Sequence, residues 1–217
     1  MIRVLVADDH DLVRMGIVRM LEDVEDIEVI GEAKSGEEAI EMARNLPINL
    51  ILMDVKMPGV GGLEATRKIL TRDNTIRVIA VSAMSEDLFP ERLMKLGASG
   101  YITKDADFKE MVYAIRRVMD GNMYMSSAVA QQLALRNFDG TKQDSSPFKL
   151  LSERELQTAM MIATGTKVST IADSLCVSPK TVNSYRYRIF EKLNIGNDVE
   201  LTILAVKHKV LDVETLD

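Results

Sequence analysis

Short runs of apolar residues alternate with amphipathic stretches over the first part of the chain. The apolar runs predict five β-strands, several of them apolar on both faces, at 2–7, 27–30, 50–53, 78–81 and 101–102. Apolar spacing of three and four predicts helices between them, at about 11–22, 36–46, 63–72, 86–97 and 107–120. Strands of this kind alternating with helices form a parallel sheet covered on both sides. We therefore predict an α/β flavodoxin-like, doubly wound domain over residues 1–121.

After residue 121 the strand pattern is lost and only helical patterns return. Residues 126–135 could form a short helix, and residues 137–148 have the polar, Gly- and Pro-containing composition of a linker. Helical spacing then recurs at about 153–164, 168–175, 179–193 and 197–208. We predict a linker over 122–149, followed by an all-α domain over 150–217.

Composition bounds the class of protein. Of the 217 residues 47% are hydrophobic and 28% are charged, which is enough to build packed cores. The single cysteine, Cys176, excludes an intramolecular disulfide and an all-cysteine metal site, and we expect a buried thiol. The sequence shows no secretion signal and no apolar run near the roughly 20 residues that span a bilayer. These features predict a soluble protein of a reducing compartment, the cytoplasm.

The net charge of −6 is unevenly distributed along the chain. Residues 1–121 carry 22 acidic and 16 basic side chains, whereas the remainder carries 11 of each. Within that remainder four bases crowd a stretch whose single acid is Glu191: Lys180, Arg186, Arg188 and Lys192. An acidic chain therefore contains a local positive patch, which favours a nucleic-acid partner for the second domain.

Acidic, hydroxyl and basic side chains follow several of the predicted strands at the point where each strand ends. Asp8 and Asp9 follow the first strand, and Asp54 follows the third. Ser82 ends the fourth strand, and Lys104 follows the fifth. Ligands of doubly wound sheets bind at the carboxyl ends of the strands. The three carboxylates predict a site for a hard divalent cation, Mg²⁺, beside which a phosphoryl group can move onto a carboxylate oxygen.

Two other interpretations of this pattern stay open. Acids after strands are common as helix N-caps, and Asp8 or Asp11 could serve only that purpose. A Mg²⁺-dependent phosphohydrolase with an aspartyl nucleophile would use a similar sheet. Such enzymes usually have a second acid two residues after the nucleophile, where Lys56 stands here. The coincidence of acids, hydroxyl and lysine at matching positions favours a functional site, and the lysine argues against turnover.

The motifs at this edge resemble the receiver domains of bacterial two-component response regulators. They are Val6-Ala7-Asp8-Asp9-His10, Leu52-Met53-Asp54-Val55-Lys56-Met57-Pro58-Gly59, Ser82-Ala83 and Gly100-Tyr101-Ile102-Thr103-Lys104. The resemblance covers about residues 1–121 and implies the CheY-like form of the fold.

The resemblance implies a phosphorylation switch. Asp54 would accept a phosphoryl group from the phosphohistidine of a sensor kinase. Asp9, Asp54 and the backbone carbonyl of Lys56 would coordinate Mg²⁺, and Asp8 would act on it directly or through water. Lys104 would pair with the phosphoryl oxygens, Ser82 would hydrogen-bond them, and Tyr101 would follow inward as the second half of the switch. The alternative for Tyr101 is a half-exposed strand aromatic without a role.

The second domain contains two predicted helices joined by the short turn Cys176-Val177-Ser178, which is typical of a helix-turn-helix DNA reader. Ser178 followed by Pro179 predicts the start of the second helix. Its inner face is marked by Val182, Ile189 and Leu193. The candidate DNA contacts are Lys180, Thr181, Asn183, Ser184 and Tyr187 for base edges and their surroundings, and Arg186, Arg188 and Lys192 for phosphates. A structural helical bundle with solvated charges is the alternative.

The segments Leu151-Ser152-Glu153-Arg154-Glu155 and Val177-Ser178-Pro179-Lys180-Thr181-Val182 resemble the LuxR-type helix-turn-helix of the NarL/FixJ regulators. The stretch Thr181-Val182-Asn183-Ser184-Tyr185-Arg186-Tyr187-Arg188 and the segment Ser146-Pro147-Phe148 look closest to the GacA/UvrY/SirA branch. The likeness implies a homodimer on double-stranded DNA, with the last helix as the dimer surface.

Together the two resemblances imply a transcriptional regulator that is activated by phosphorylation and is not a turnover enzyme. By analogy with the branch, its targets would be genes for small regulatory RNAs. A phosphorylation-dependent adaptor, whose helical half binds a partner protein, is the alternative function.

Overall fold

The structure is a computed structural model and describes residues 1–57, 59–82, 89–138, 146–208 and 210–211. The chain divides into two compact units. The first runs to Phe138, and the second contains the described residues from Ser146 onward.

The first unit alternates strands and helices, as the apolar pattern predicts. Its strands are β1 (Ile2–Ala7), β2 (Ile27–Ala33), β3 (Leu50–Asp54), β4 (Arg77–Ser82), β5 (Gly100–Thr103) and β6 (Tyr124–Met125). Its helices are α1 (Asp11–Glu22), α2 (Gly36–Asn45), α3 (Gly62–Arg72), α4 (Phe89–Lys95), α5 (Phe108–Met119) and α6 (Ser127–Phe138). The predicted bounds agree to within a few residues, except that residues 86–88 of the fourth predicted helix lie outside the described residues.

The strands form one parallel sheet in the order β2-β1-β3-β4-β5-β6, with apolar clusters on both faces. Successive side chains of a strand point to opposite faces. Val6 and Leu52 accordingly join the cluster beneath α1 and α5, whereas Ala7 and Met53 join the cluster beneath α2 and α3. The predicted doubly wound α/β fold is confirmed. Its strand order reverses between β1 and β3, which places the carboxyl ends of these two strands side by side.

The sheet extends into the segment that the sequence predicted as a linker. β6 pairs with β5, and the amide of Ser126 donates to the carbonyl of Tyr101 over 3.0 Å. A two-residue strand has no periodicity to detect, so the predicted boundary at 121 falls before it. The possible helix at 126–135 is present as α6 and ends three residues later. Residues 139–145 of the predicted linker lie outside the described residues.

The second unit consists of helices over its described residues. They are a short 3-10 helix (Pro147–Leu150), α7 (Glu153–Ala163), α8 (Val168–Ser174), α9 (Pro179–Leu193) and α10 (Asp198–Lys207). Phe148 lies inside the predicted linker, yet it is 1% exposed, and its ring lies edge-on to His208 with 6.5 Å between centroids. The core of the second unit therefore begins before residue 150. In the described part of the chain, no helix is long and apolar enough to cross a membrane.

Glu155 ties the start of α7 to the end of α9. Its carboxylate accepts the amide of Ser152 at 2.8 Å, which completes a capping box at the start of α7, and lies 2.5 Å from Nζ of Lys192. Burial of Glu155 disfavours its charged form. The hydrogen bonds from Lys192 and Ser152 outweigh that effect, so the pKa of Glu155 lies below the usual value of 4.5.

We expect Glu155→Ala to lower the free energy of unfolding of the second unit by about 2 kcal/mol, since it removes a cap and a buried carboxylate that bridges two helices. Because the folded pKa is depressed, the wild-type contribution is complete above the ordinary pKa and is lost as the pH falls through the folded value. Urea unfolding at several pH values measures this effect. Glu153→Ala, in the same helical turn, is the control, and equal stability of the two variants would contradict the role of Glu155.

Candidate functional site

The carboxyl ends of four parallel strands bring the predicted site residues of the first unit to one edge. Asp8 directly follows β1, Asp54 ends β3, Ser82 ends β4, and Lys104 directly follows β5. Ala7 pairs with Met53 in register, so Asp8 and Asp54 leave neighbouring strands at the same level. Asp8, Asp54 and Ser82 are each 2% exposed.

Three carboxylates and one imidazole form the cluster that could hold a metal. One ligand atom from each of Asp8, Asp9, His10 and Asp54 lies within 4.8 Å of the others. Oxygen ligands in this number suit a hard divalent cation. His10, whose Nδ1 lies 3.1 Å from Oδ1 of Asp9 and 3.3 Å from Oδ1 of Asp8, was not among the predicted ligands.

Lys104 supplies the positive charge within this acidic site. Its Nζ lies 2.9 Å from Oδ2 of Asp54 and 2.7 Å from Oδ2 of Asp8. Its backbone amide donates to the carbonyl of Ser82 at 2.7 Å, which fixes where the side chain starts. Three carboxylates and one ammonium leave a formal charge of −2 when all are ionised. That charge matches a divalent cation, so the residues present fit Mg²⁺.

Burial dominates the electrostatics of Asp54. Removal from water raises its pKa to about 6, an effect that the neighbouring Asp8 charge reinforces and the Lys104 hydrogen bond opposes. Its Oδ1 also accepts the backbone amide of Lys56 at 3.2 Å, which stabilises the ionised form. Burial likewise disfavours the charge of Lys104, but the hydrogen bonds that Lys104 donates to Asp8 and Asp54 outweigh this effect and raise the pKa of Lys104.

A buried arginine that sequence reasoning missed supports the acidic loop. Arg14 of α1 is 4% exposed, and its Nη1 donates to the backbone carbonyl of Asp8 at 2.8 Å. The same guanidinium contacts the carboxylate of Asp11 and, at 3.1 Å through Nε, that of Glu32. A basic residue on the apolar face of a predicted helix was the available signal.

The helix-cap alternative for the acids is wrong in this structure. The N-cap residue of α1 is His10, so neither acid occupies that position, and the His10 side chain makes no capping hydrogen bond. Asp8 instead points Oδ1 at the amide of His10, at 2.8 Å, and Oδ2 at Lys104.

The two predicted switch residues are both buried. Ser82 lies at the rim, and Tyr101 lies inside the sheet with no exposed surface. The alternative interpretation of Tyr101 as a half-exposed aromatic is therefore wrong. Lys56 is exposed and follows Asp54 closely enough that its peptide belongs to the wall of the site.

The second unit contains the predicted helix-turn-helix. α8 ends at Ser174, and α9 begins at Pro179 with the Ser178 hydroxyl accepting the amide of Thr181 at 3.1 Å. Cys176 lies in the turn with φ of 51° and is exposed, so the prediction of a buried thiol is wrong. The turn projects away from the two packed helices, so the Cys176 side chain has no core to enter.

α9 buries one face and exposes another, as its sequence pattern predicts. Val182, Ile189 and Leu193 are buried against the rest of the unit. The exposed residues near the start of the helix are Lys180, Asn183, Ser184, Tyr187 and Arg188. Tyr187 is 76% exposed, which is unusual for an aromatic side chain without a partner surface.

Two of the predicted phosphate contacts are ion-paired inside the unit. Arg186 lies 2.6 Å from Oδ2 of Asp198 and stacks over the ring of Phe190, 5.5 Å from its centroid. Lys192 contacts Glu155 as described above. Thr181 directs its hydroxyl to Ser178 Oγ at 2.9 Å. The structure therefore groups Lys180, Asn183, Ser184, Tyr187 and Arg188 on one open face and sets the other three apart from it.

Comparison with protein families matches both units. The model "Response regulator receiver domain" matches residues 4–116, and the model "Bacterial regulatory proteins, luxR family" matches residues 149–205. The first match runs from within β1 into α5 and includes the acidic edge, and the second covers the helix-turn-helix.

The chain also has relatives along its whole length. Response regulator GacA of Pseudomonas viridiflava is 59% identical over 212 residues, which are 98% of this chain and 99% of that protein. Response regulator UvrY of Escherichia coli (strain K12) is 50% identical over 216 residues, which are 100% of this chain and 99% of that protein.

Solved structures show the same fold. A two-component response regulator of the LuxR family from Aurantimonas sp. SI85-9A1 matches with a TM-score of 0.60 and 35% identity, over 62% of this chain and 96% of that chain. RcsB from Salmonella enterica serovar Typhimurium, bound to promoter rprA in the presence of phosphomimetic BeF3-, matches with a TM-score of 0.64 and 24% identity, over 94% of this chain and 98% of that chain.

The two family matches, the full-length relatives and the fold agree with one another. The chain therefore belongs to the two-component response regulators: it joins a receiver domain to a LuxR-type DNA-binding domain and matches the GacA/UvrY branch of that family.

Proposed function

We propose that Asp54 accepts a phosphoryl group from a sensor histidine kinase, or from a phosphotransfer domain, and that this event controls DNA binding by α9. The observation that carries the proposal is the acidic cluster at the sheet edge, where Lys104 contacts two carboxylates at once. Mg²⁺ is the ion we assign to the site, held by the carboxylates of Asp8, Asp9 and Asp54 and by the backbone carbonyl of Lys56.

The protonation state of Asp54 suits it to act as the phosphoryl acceptor. With a pKa of about 6, the carboxyl is ionised in roughly nine-tenths of molecules at pH 7. The ionised carboxylate is the nucleophile, and burial limits access of water to it. When bound, Mg²⁺ supplies positive charge next to the phosphoryl oxygens. Lys104 already contacts Asp54. Once Asp54 carries a phosphoryl group, Lys104 would pair with the phosphoryl oxygens.

The switch that we assign lies between Ser82 and Tyr101. Ser82 is at the rim, where its hydroxyl can turn towards a phosphoryl group on Asp54. Tyr101 is buried in the described structure, so the first movement belongs to Ser82 and the strand that carries it. Such a change is a two-state movement of the β4 and β5 edge, coupled to the output domain.

The output surface that we assign is the open face of α9. Lys180, Asn183 and Tyr187 lie near the start of the helix, where a recognition helix meets base edges, and Arg188 lies beside them for a phosphate contact. Arg186 and Lys192 are assigned instead to holding α9 against α10 and α7, since their charges are paired there. Val199 and Ile203 of α10 are 67% and 62% exposed, which supports α10 as the surface of a homodimer.

The aspartyl phosphate is proposed as a signal, with no turnover of a substrate. Because the proposed partner is chromosomal DNA, we assign the protein to the cytoplasm. Control of small regulatory RNA genes is a finer prediction, and mapping bound chromosomal sites with and without phosphorylation tests it. The alternative, an adaptor whose second unit binds a protein, predicts no protected DNA.

We expect Asp54→Asn to abolish labelling of the full-length chain by acetyl phosphate with Mg²⁺, because an amide cannot act as the nucleophile. Incorporation of ³²P from labelled acetyl phosphate measures this. Asp105→Asn, which changes an exposed acid just after Lys104, should keep the label. Undiminished label on the Asp54 variant would show that another residue is the acceptor.

The raised pKa of Asp54 gives a second expectation. In the metal-free protein, Lys104→Met should move that pKa above its wild-type value of about 6, because the ammonium is what lowers it. Since the folded pKa exceeds the ordinary value, metal-free stability should fall as the pH rises through about 6. Carboxyl ¹³C NMR against pH measures the midpoint, with Lys109→Met as the control. If the pKa of Asp54 in Lys104→Met is equal to or below that in the wild type, this electrostatic account is refuted.

The recognition face is tested by footprinting. We expect Arg188→Ala to weaken DNA binding on all sequences and to reduce its salt dependence, whereas Asn183→Ala should relax preference at particular bases, by about 1–3 kcal/mol. Arg116→Ala in the receiver removes the same charge elsewhere and should leave the footprint unchanged. If neither α9 variant alters DNA protection, the adaptor function is favoured.

A further inference from the structure

The loop between β3 and α3 is closed tightly at both ends. The amide of Gly62 donates to the carbonyl of Val55 at 3.1 Å. A Cβ atom at Gly62 would lie 1.9 Å from the carbonyl oxygen of Asp54, so only glycine fits there. The start of α3 therefore packs directly against the peptide of Asp54. This loop carries Lys56, whose carbonyl is the backbone ligand assigned above.

The far side of the same loop is held by the first turn of α2. Oε1 of Glu37 accepts the amide of Val60 at 2.7 Å. A Cβ atom at Gly36 would lie 1.8 Å from the carbonyl oxygen of Val60, so the start of α2 packs closely against the main chain on both sides of the Val60 Cα. Gly59 has φ of 66°, and a Cβ there would lie 2.6 Å from both carboxylate oxygens of Glu37.

We propose that Glu37 is a positioning residue for the metal site, acting through the β3–α3 loop on the carbonyl of Lys56. Mg²⁺ requires near-ideal octahedral geometry, so a backbone ligand must be held in place. A charged acceptor makes a stronger hydrogen bond to an amide than a neutral one does. Val60 is 5% exposed and Met57 is 3% exposed, so both side chains pack into the core while the Glu37 carboxylate holds the Val60 amide. The inference rests on the proposed function.

A purely structural role for Glu37 would be to stabilise the start of α2, where acidic side chains are favoured. Glu38 separates the two roles. It lies in the same turn, and its Oε2 accepts the amide of Lys34 at 2.8 Å, while its own amide is capped by Ser35. Lys34 and Ser35 both precede α2 and lie outside the β3–α3 loop. Glu38→Ala is therefore a matched control for loss of charge at the helix start.

The experiment uses the full-length chain and Mg²⁺ alone, with the dissociation constant measured by calorimetry. Loss of a supporting partner behind a metal ligand typically weakens binding by 10-fold or more. We expect Glu37→Ala to raise the dissociation constant by about 10-fold. Glu37→Gln, which keeps an acceptor oxygen, should recover most of that loss. Glu38→Ala should bind as the wild type does.

Hydrogen exchange of the Val60 amide in metal-free wild type gives a readout that does not depend on any variant folding. We expect strong protection, lost in Glu37→Ala and retained in Glu38→Ala. Unprotected exchange at Val60 in the wild type would overturn the positioning role, as would equal weakening of Mg²⁺ binding by the two alanine variants or wild-type affinity in Glu37→Ala. A wild-type chain that binds no Mg²⁺ would overturn the proposed function as well.

Discussion

The contact of Lys104 with both Asp8 and Asp54 is the interaction on which the receiver depends. Three carboxylates at one sheet edge repel one another, and the charge of Asp8 helps to raise the pKa of Asp54. The Lys104 ammonium, 2.7 Å and 2.9 Å from two of the acids, reduces this repulsion. The negative charge that remains is one that a divalent ion can neutralise. The same ammonium is then available to a phosphoryl group, so structural balance and proposed chemistry use one side chain.

The acidic site is built on main chain that other residues hold. Arg14 of α1 donates a hydrogen bond to the carbonyl of Asp8, and Gly62 allows α3 to begin against the peptide of Asp54. Neither residue needs to touch a ligand. Small errors in backbone position are costly in such a site, because carboxylates on short side chains have little freedom to compensate. Supporting residues are therefore as informative about the site as the acids themselves.

The sequence was sufficient to place those site residues whose positions depend on strand periodicity and on where the strands end. Asp8, Asp54, Ser82 and Lys104 were placed together because parallel strands end at one edge. His10 and Arg14 were missed because their contacts depend on how α1 turns back over the sheet, which apolar spacing does not describe. β6 is too short to have a period, and Phe148 is a single aromatic in a polar stretch whose burial depends on the fold of distant helices. For these reasons the first unit extends past residue 121, and the core of the second unit begins before residue 150.

Helical geometry explains why the positive patch on α9 is weaker than its composition suggests. Arg186 follows Val182 by four residues and precedes Ile189 by three, so all three lie along the buried stripe. Arg186 therefore pairs with Asp198, and Lys192 reaches across to Glu155. Lys180 and Arg188 stay on the open face, beside Glu191. A recognition surface with so few free charges gains less from releasing counterions, so a larger share of its affinity must come from neutral contacts such as those of Asn183 and Tyr187.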